Sequence, residues 1–386
     1  MIYLDHAATS PMDPRVLEDM MPYLTYEFGN PGSLHAYGRE ARKAIDKARS
    51  QAAAFFNCRP DQVIFTSGGT EGNNLVFFGT ATELLRRNRH DITISAVEHD
   101  SVWKAAHRLC IKHSFHLHIC PPSADGEVKL TVIDEQISDS TGLVSVMLVN
   151  NETGVVNDIA SIANACHQKG SLIHTDAVQA AGMMKLDTKS CFPVDFMTVS
   201  SHKINGPKGM GALFVKDPSI LEPLISGGDD QEFGFRGGTE NVAGIVGFGK
   251  ACELADIEYA KHLRYLTAQH SQLIYMLRSA AKERGVEIKI NGDIANMSPK
   301  TLNICLPGVD SETLLLMLDA KQICLSAGSA CRAHENTPSR VLKAMGISDE
   351  DARCSVRISI SHLNTPEELD AAAREIIGCA AALKSL

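Results

Sequence analysis

At 386 residues the chain is long enough for two domains, and 44% hydrophobic against 22% charged residues is the balance of a soluble globular protein. A formal net charge of −9 disfavours non-specific attachment to nucleic acid or to an anionic membrane, and no apolar run reaches the roughly 18–20 residues that span a bilayer. The first residues, MIYLDHAATS, lack the basic and apolar pattern of a leader, and the 11 scattered cysteines, an odd number, predict reduced thiols in a cytoplasmic protein.

Along the chain, Tyr37, Ala41, Ala44, Ile45, Ala48, Ala52 and Phe55 recur at helical spacing. From about residue 60, QVIFT (62–66), ITISA (92–96), VSVMLV (144–149), SLIHTD (171–176), DFMTVS (195–200) and GALFVK (211–216) read as strands. Most are apolar throughout, as expected of strands covered on both faces. Helical stretches such as Ile159–Lys169 lie between them. The alternation predicts an α/β domain with a mostly parallel sheet. After about residue 250 the pattern becomes α+β: a long helix (roughly 250–284), VEIKIN, TLNICLP, a helix near 311–320, and CSVRISI. A second domain should begin near residues 250–265, with no flexible linker.

Several stretches carry chemistry. VSSHKINGPKGMG (199–211) places Ser200, His202 and Lys203 at the C-terminal end of an apolar strand, where open α/β sheets bind ligands. A lysine there is partly desolvated, which lowers its amine pKa and suits a Schiff base. Taken alone, Lys203 reads more simply as a surface lysine. FTSGGTEGNN (65–74) puts Gly69 and Thr70 between a strand and a helix, a cradle for a phosphate or an ordinary tight turn. LIHTDAVQ (172–179) ends a strand at Asp176, with Gln179 three residues on. A buried carboxylate needs a cationic partner, although Asp176 would serve equally as a helix cap. His99 in SAVEHDSV (95–102) suits stacking on a ring, or a solvent edge. Asn151 in VNNETG (149–154) suits an amide donor, or a turn. An amine for a Schiff base, an amide cradle for a phosphate and a carboxylate for a pyridinium nitrogen are together what pyridoxal 5'-phosphate requires.

Two further stretches stand apart. LSAGSACRAHENTPSRVL (325–342) sets Cys331 among small and polar residues, unlike an ordinary buried cysteine. In HSFHLHIC (113–120), a strand would put His116, His118 and Cys120 on one face, a set that zinc could use. A half-exposed strand with polar histidines is the simpler reading, and no metal site is expected.

With these residues in view the chain resembles the cysteine desulfurases of the NifS/IscS type, in the class-V aminotransferase family. The resemblance runs from YLDHAATSP to VRISISHLNTPEELD, and its most specific segments are EFGNPGSLHAYG (27–38), TSGGTEGNN, SSHKINGPKG, FRGGTEN (235–241) and SAGSAC (326–331). It implies the α/β architecture of fold-type I pyridoxal-phosphate enzymes. Residues 15–255 would form the large domain, and residues 1–14 with 256–386 the small α+β domain. Carried over, Lys203 resembles the Schiff-base lysine and Asp176 the partner of the pyridine nitrogen. Gln179 and Asn151 match the residues bonding the phenolic oxygen, and His99 the stacking, proton-moving histidine. Gly69, Thr70, Ser200 and His202 match the phosphate cradle. Thr239 matches a threonine that serves the neighbouring subunit's phosphate, which implies a homodimer. Asn30 and Arg357 match the residues that hold the substrate carboxylate, a task suited to the arginine fork.

The resemblance makes Cys331 the nucleophile. It would take sulfur from L-cysteine as a persulfide, leave L-alanine, and hand the sulfur to an acceptor protein serving iron–sulfur assembly, tRNA thiolation or DNA phosphorothioation. The long spacing from Cys331 to Pro338 resembles the IscS-like group with its mobile loop, and the Arg-x-Gly-x-His-Cys pattern of the other group is absent. Two positions depart from the commoner pattern. Asp100 stands where a lysine is frequent, and Arg332 follows the nucleophile where a small hydroxyl residue is usual. A guanidinium there would favour thiolate or bind an acidic acceptor. The competing readings are another pyridoxal-phosphate lyase such as a selenocysteine lyase, and a non-catalytic scaffold for sulfur-transfer partners. Cys331 opposes the first and the complete cofactor constellation the second.

Overall fold

The computed structural model describes residues 1–328 and 337–385. Its strands, in chain order, are β1 (Ile2–Tyr3), β2 (Val63–Thr66), β3 (Asp91–Ser95), β4 (His116–Cys120), β5 (Thr141–Ser145), β6 (Leu172–Asp176), β7 (Phe196–Ser200), β8 (Gly211–Val215), β9 (Lys289–Ile290), β10 (Thr301–Cys305), β11 (Ile323–Cys324) and β12 (Ser355–Ser359). Seven of them form one sheet in the order β2-β8-β7-β6-β5-β3-β4. From β7 to β4 all pairings are parallel, and β8 alone runs against its neighbours β2 and β7. Thus β2, β3, β5, β6 and β7 point the same way, and their C-terminal ends open on one edge of the sheet.

Apolar side chains alternate between the two faces, as the strand period requires. Val63, Phe65, Val144, Ile173, Met197 and Val199 enter one core. Ile64, Leu143, Ile92, Ile94 and Phe196 enter the other. Both faces are therefore covered, which explains the continuous apolar runs. One run misleads on register: the expected strand 144–149 is in fact Thr141–Ser145. Beyond Ser145 the chain stays buried and bonds irregularly to β6, Val146 N–H to His174 O at 3.2 Å and Leu148 N–H to Asp176 O at 3.0 Å. Burial, not ladder pairing, keeps those residues apolar.

A third core gathers Leu4, residues of β10 and β12, and the helix Pro366–Lys384. β12, β10 and β9 form a small antiparallel sheet, and β1 pairs with β11. The helix Val242–Arg284 is shared. Its Ile245, Phe248, Ala251 and Cys252 pack in the large core, and its Leu266, Leu273 and Leu277 in the small one. The expected boundary at residue 255 falls inside it. It begins well before the expected residue 250, where the Asn241 side chain caps it by accepting from Gly244 N–H at 3.0 Å. Glycines hid that start from a propensity reading. They are there for close approach: a Cβ on Gly249 would lie 2.6 Å from Ala48 Cα, and one on Gly247 2.5 Å from Met20 Sδ. Val341, Leu342, Met345 and Ala352, far along the chain, also pack in the large core. Among the described residues no helix is long and apolar enough to cross a membrane.

Candidate active site

The open edge of the sheet leads into a cavity of about 200 Å³ lined by Gly69, Thr70, His99, Asn151, Asp176, Gln179, Ser200, His202 and Lys203. Asp176 and Ser200 end strands, and the others lie in the segments that follow strand ends. Lys203 sits on the single helical turn Ser201–Lys203 directly after β7. Its Nζ donates to the backbone carbonyls of Ala7 and, at 2.7 Å, Ala8. Burial pulls its pKa down to about 7, and the cations Lys300 and Arg357 pull the same way, against Asp5 and Asp176.

Asp176 ends β6 and is 4% exposed. One carboxylate oxygen accepts from Val178 N–H at 3.0 Å and the other from Asn73 Nδ2 at 2.8 Å. No helix begins there, so the capping alternative falls away. Among the described residues Asp176 has no cationic partner in contact, although a buried carboxylate requires one. Asn73 also donates to Ser101 Oγ at 2.8 Å, and that hydroxyl lies 2.7 Å from His99 Nδ1. Ser101 N–H donates to the same nitrogen, so a neutral His99 ring carries its proton on Nε2. Asn73 thus ties Asp176 to His99. It was not singled out from sequence, although it lies one helical turn past Gly69 in the same segment.

The helix Gly69–Gly79 starts at the cavity with the free amides of a first turn. A Cβ on Gly69 would come within 2.9 Å of Val178 Cγ2, so this close approach needs glycine. Ser200 and His202 flank the same end. The His202 Nδ1 lies 3.1 Å from Thr9 Oγ1, and burial lowers its pKa to about 4, with Lys203 adding to the effect.

The residues present fit pyridoxal phosphate. Asn151 Oδ1, Gln179 Oε1 and Asn73 Oδ1 are buried without a partner, and Asp176 offers an unpaired carboxylate to a protonated ring nitrogen. The helix start would accept a phosphate, and Lys203 offers an amine whose pKa of about 7 leaves a substantial uncharged fraction at neutral pH.

Arg357 lies on β12, 2% exposed, beside this cavity. Its Nη2 donates to Asp5 Oδ1 and its Nη1 to Asn151 O, each at 2.8 Å, and Nε has no partner. Its backbone N–H donates to Ser326 O at 2.7 Å, which holds the segment leading toward Cys331 against the site. Cys331 and Arg332 themselves lie outside the described residues. On the far side of that gap, Ser339 Oγ donates to Glu152 Oε2 at 2.5 Å. Arg340 donates to the carbonyls of Ala96 and Glu98, lies 3.5 Å from Asp100 and covers the Trp103 ring at 4.1 Å. Asp100, the unusual residue after His99, therefore partners Arg340.

Two expected residues are not brought to this cavity within the chain. Asn30 is exposed, its side chain accepting from Gly32 N–H at 2.9 Å, and Thr239 is exposed on the surface. His116 and His118, on the edge strand β4, both turn to Asp91, at 3.0 and 3.7 Å, while Cys120 is buried. Among the described residues no group of three or more His, Cys, Asp or Glu side chains is placed to hold a metal ion.

The sequence profile of the aminotransferase class-V family matches residues 2–372. The chain is 39% identical over 390 residues to the cysteine desulfurase IscS of Vibrio vulnificus (strain YJ016), covering 100% of this chain and 94% of the relative. Among solved structures, a NifS-like protein superposes with a TM-score of 0.90 at 32% identity, with full coverage of both chains. SspA in complex with cysteine superposes with a TM-score of 0.80 at 31% identity, covering 95% of this chain and 100% of that one.

Proposed function

The chain belongs to the class-V aminotransferase family and is a cysteine desulfurase of the NifS/IscS type, and from that premise we propose how its residues divide the work. The substrate is L-cysteine and the products are L-alanine and a persulfide on Cys331. The observation that supports this division most directly is the convergence of Lys203, Asp176, Gln179, Asn151 and His99 on one cavity in which the oxygens Asn151 Oδ1, Gln179 Oε1 and Asn73 Oδ1 are buried without partners.

Pyridoxal phosphate, when bound, supplies a carbonyl that condenses with an amine and a ring that takes up the electrons left at Cα. Lys203 supplies the amine. With its pKa near 7 it is poised both to bond a carbonyl and to accept a proton from the substrate. Asp176, held by Asn73 and the Val178 amide, keeps a ring nitrogen protonated. Gly69 and Thr70 with Ser200 and a neutral His202 receive the phosphate. His99 would lie against the ring and offers Nε2 for proton transfer. Arg357 holds the substrate carboxylate. The Cys331 thiolate attacks the substrate sulfur. A sulfur–sulfur bond forms, the Cβ–sulfur bond breaks, and its electron pair stays on the carbon fragment, which takes up protons at Cβ and Cα and leaves as alanine.

The working unit is a homodimer in the cytoplasm, and the persulfide passes to an acceptor protein. Leu24, Phe28 and Leu34 are 58%, 74% and 90% exposed on the surface stretch that carries Asn30, which supports burial against a second copy. Incubation with L-cysteine followed by mass spectrometry tests the reading. Equimolar alanine and a sulfur adduct on the peptide containing Cys331 are expected, and alanine without that adduct would overturn it.

A further inference from the structure

Lys300 is a buried cation that the reaction described above does not use. It sits just before β10, is 5% exposed, and its backbone carbonyl accepts from Ile360 N–H at 2.8 Å. Its Nζ donates to the backbone carbonyl of Lys203 at 3.2 Å. Among the described residues it makes no ion pair, although a buried ammonium is costly without one. Both lysines line a second cavity, behind the turn Ser201–Lys203, together with His6 and His362. The cations acting on Lys300 and its neighbours are Arg357 from β12 and Lys203 from the turn, while burial holds His6, His202 and His362 near 4 and so uncharged at neutral pH, and the carboxylates Asp13 and Glu258 line the same cavity without an ion pair to Lys300.

We propose that Lys300 is a positioning residue that fixes the turn carrying Lys203 and, through its own charge, keeps the Lys203 amine uncharged and reactive. The proposal rests on the reading of Lys203 as the amine that carries the cofactor. Lys203 faces two carboxylates, Asp5 and Asp176, both of which favour its protonated form. Arg357 opposes them but is itself bound to Asp5 at 2.8 Å. Lys300 makes no ion pair among the described residues, and after burial it is the first influence lowering the Lys203 pKa, ahead of Arg357. Burial lowers Lys300 itself to about 8, so it carries its charge through neutral pH and loses it above that.

The test is a pH titration of the visible absorbance of the holoenzyme in wild type, Lys300→Met, Lys300→Gln and Lys300→Arg, with kcat, KM and melting temperature measured alongside. The Met and Gln variants should move the midpoint upward by about one pH unit, the scale of one close charge. The acid limb of kcat/KM should move with it, and Lys300→Arg should restore the wild-type midpoint. If the Met variant does not fold, the comparison of Gln with Arg decides. A merely structural lysine would lower melting temperature and turnover without moving a midpoint, and an unmoved midpoint in the Met or Gln variant overturns the proposal. Borohydride reduction and peptide mapping of the same preparations separate the two readings. A pyridoxyl label on Lys203 with an unmoved midpoint sinks the role of Lys300 alone, whereas a label on another lysine sinks the Lys203 reading and this one with it.

Discussion

Asp5 and Arg357 are bonded to each other at 2.8 Å although 352 residues separate them. The pair joins the segment after β1 to β12 and leaves Arg357 with one buried unpartnered nitrogen, Nε. Arg357→Ala removes both the proposed carboxylate anchor and the only ion pair of Asp5 among the described residues. Breaking a largely buried, hydrogen-bonded charge pair costs about 2–5 kcal/mol. The KM for L-cysteine should rise on the order of a hundredfold, and the melting temperature should fall. Arg357→Lys should recover stability better than affinity, because an ammonium cannot reach Asp5, the Asn151 carbonyl and a carboxylate at once. Steady-state kinetics with thermal melts checks this, and an unchanged KM in Arg357→Ala would place the substrate carboxylate elsewhere.

Asn73 donates to both Asp176 and Ser101, so its loss should be felt at two places. Asn73→Ala leaves a buried carboxylate with one donor, a deficit of about 1.5–3 kcal/mol for a bond to a charged group. Retention of pyridoxal phosphate on dialysis should weaken roughly tenfold or more. Asn73→Asp should be worse, since it sets a second carboxylate beside Asp176. Equilibrium dialysis with absorbance gives the answer, and full retention in both variants would remove Asn73 from the site.

Glu98 is fully buried, and burial lifts its pKa to about 8. Its Oε1 accepts from Ser95 Oγ and from Met147 N–H, and Oε2 has no partner. The folded-state pKa is raised, so the folded protein holds this proton over a range in which the unfolded chain has released it. Stability from Glu98 is therefore complete below the usual carboxylate pKa and falls as pH rises toward about 8. Glu98→Gln keeps the shape and cannot ionise. The melting temperature of the variant relative to wild type should climb between about pH 5 and pH 8. A difference that stays flat across that range would show that Glu98 does not carry the proton.

Cys331→Ser should keep the cofactor and bind L-cysteine, yet form no enzyme persulfide and almost no alanine. The other thiols should not substitute. Burial pushes Cys58, Cys120 and Cys166 up to about 12 and raises Cys324 as well, so none of them offers much thiolate near neutrality. Rapid-mixing absorbance with mass spectrometry of the variant decides. Normal alanine release, or a persulfide on Cys324 in the wild type, would name a different nucleophile.

What the sequence determined by itself is local. Apolar runs ending in Thr66, Asp176 and Ser200 mark strands covered on both faces, and the residues just past their ends are where such a sheet binds ligands, so Gly69, Asp176 and Lys203 were legible as a set. Tertiary structure alone decided the rest. The pairs Asp5–Arg357, Lys300–Lys203 and Asp100–Arg340 join residues 352, 97 and 240 positions apart. Contacts of that span depend on how three cores close against one another, and no periodicity records them. The start of the shared helix at Val242 was hidden for the same reason, because its glycines answer to the neighbours Ala48 and Met20 rather than to helix propensity. Asn30 and Thr239 show the converse: the motifs that hold them are plain in the sequence, but only the folded chain shows both side chains on its outer surface, away from the cavity that Lys203 enters.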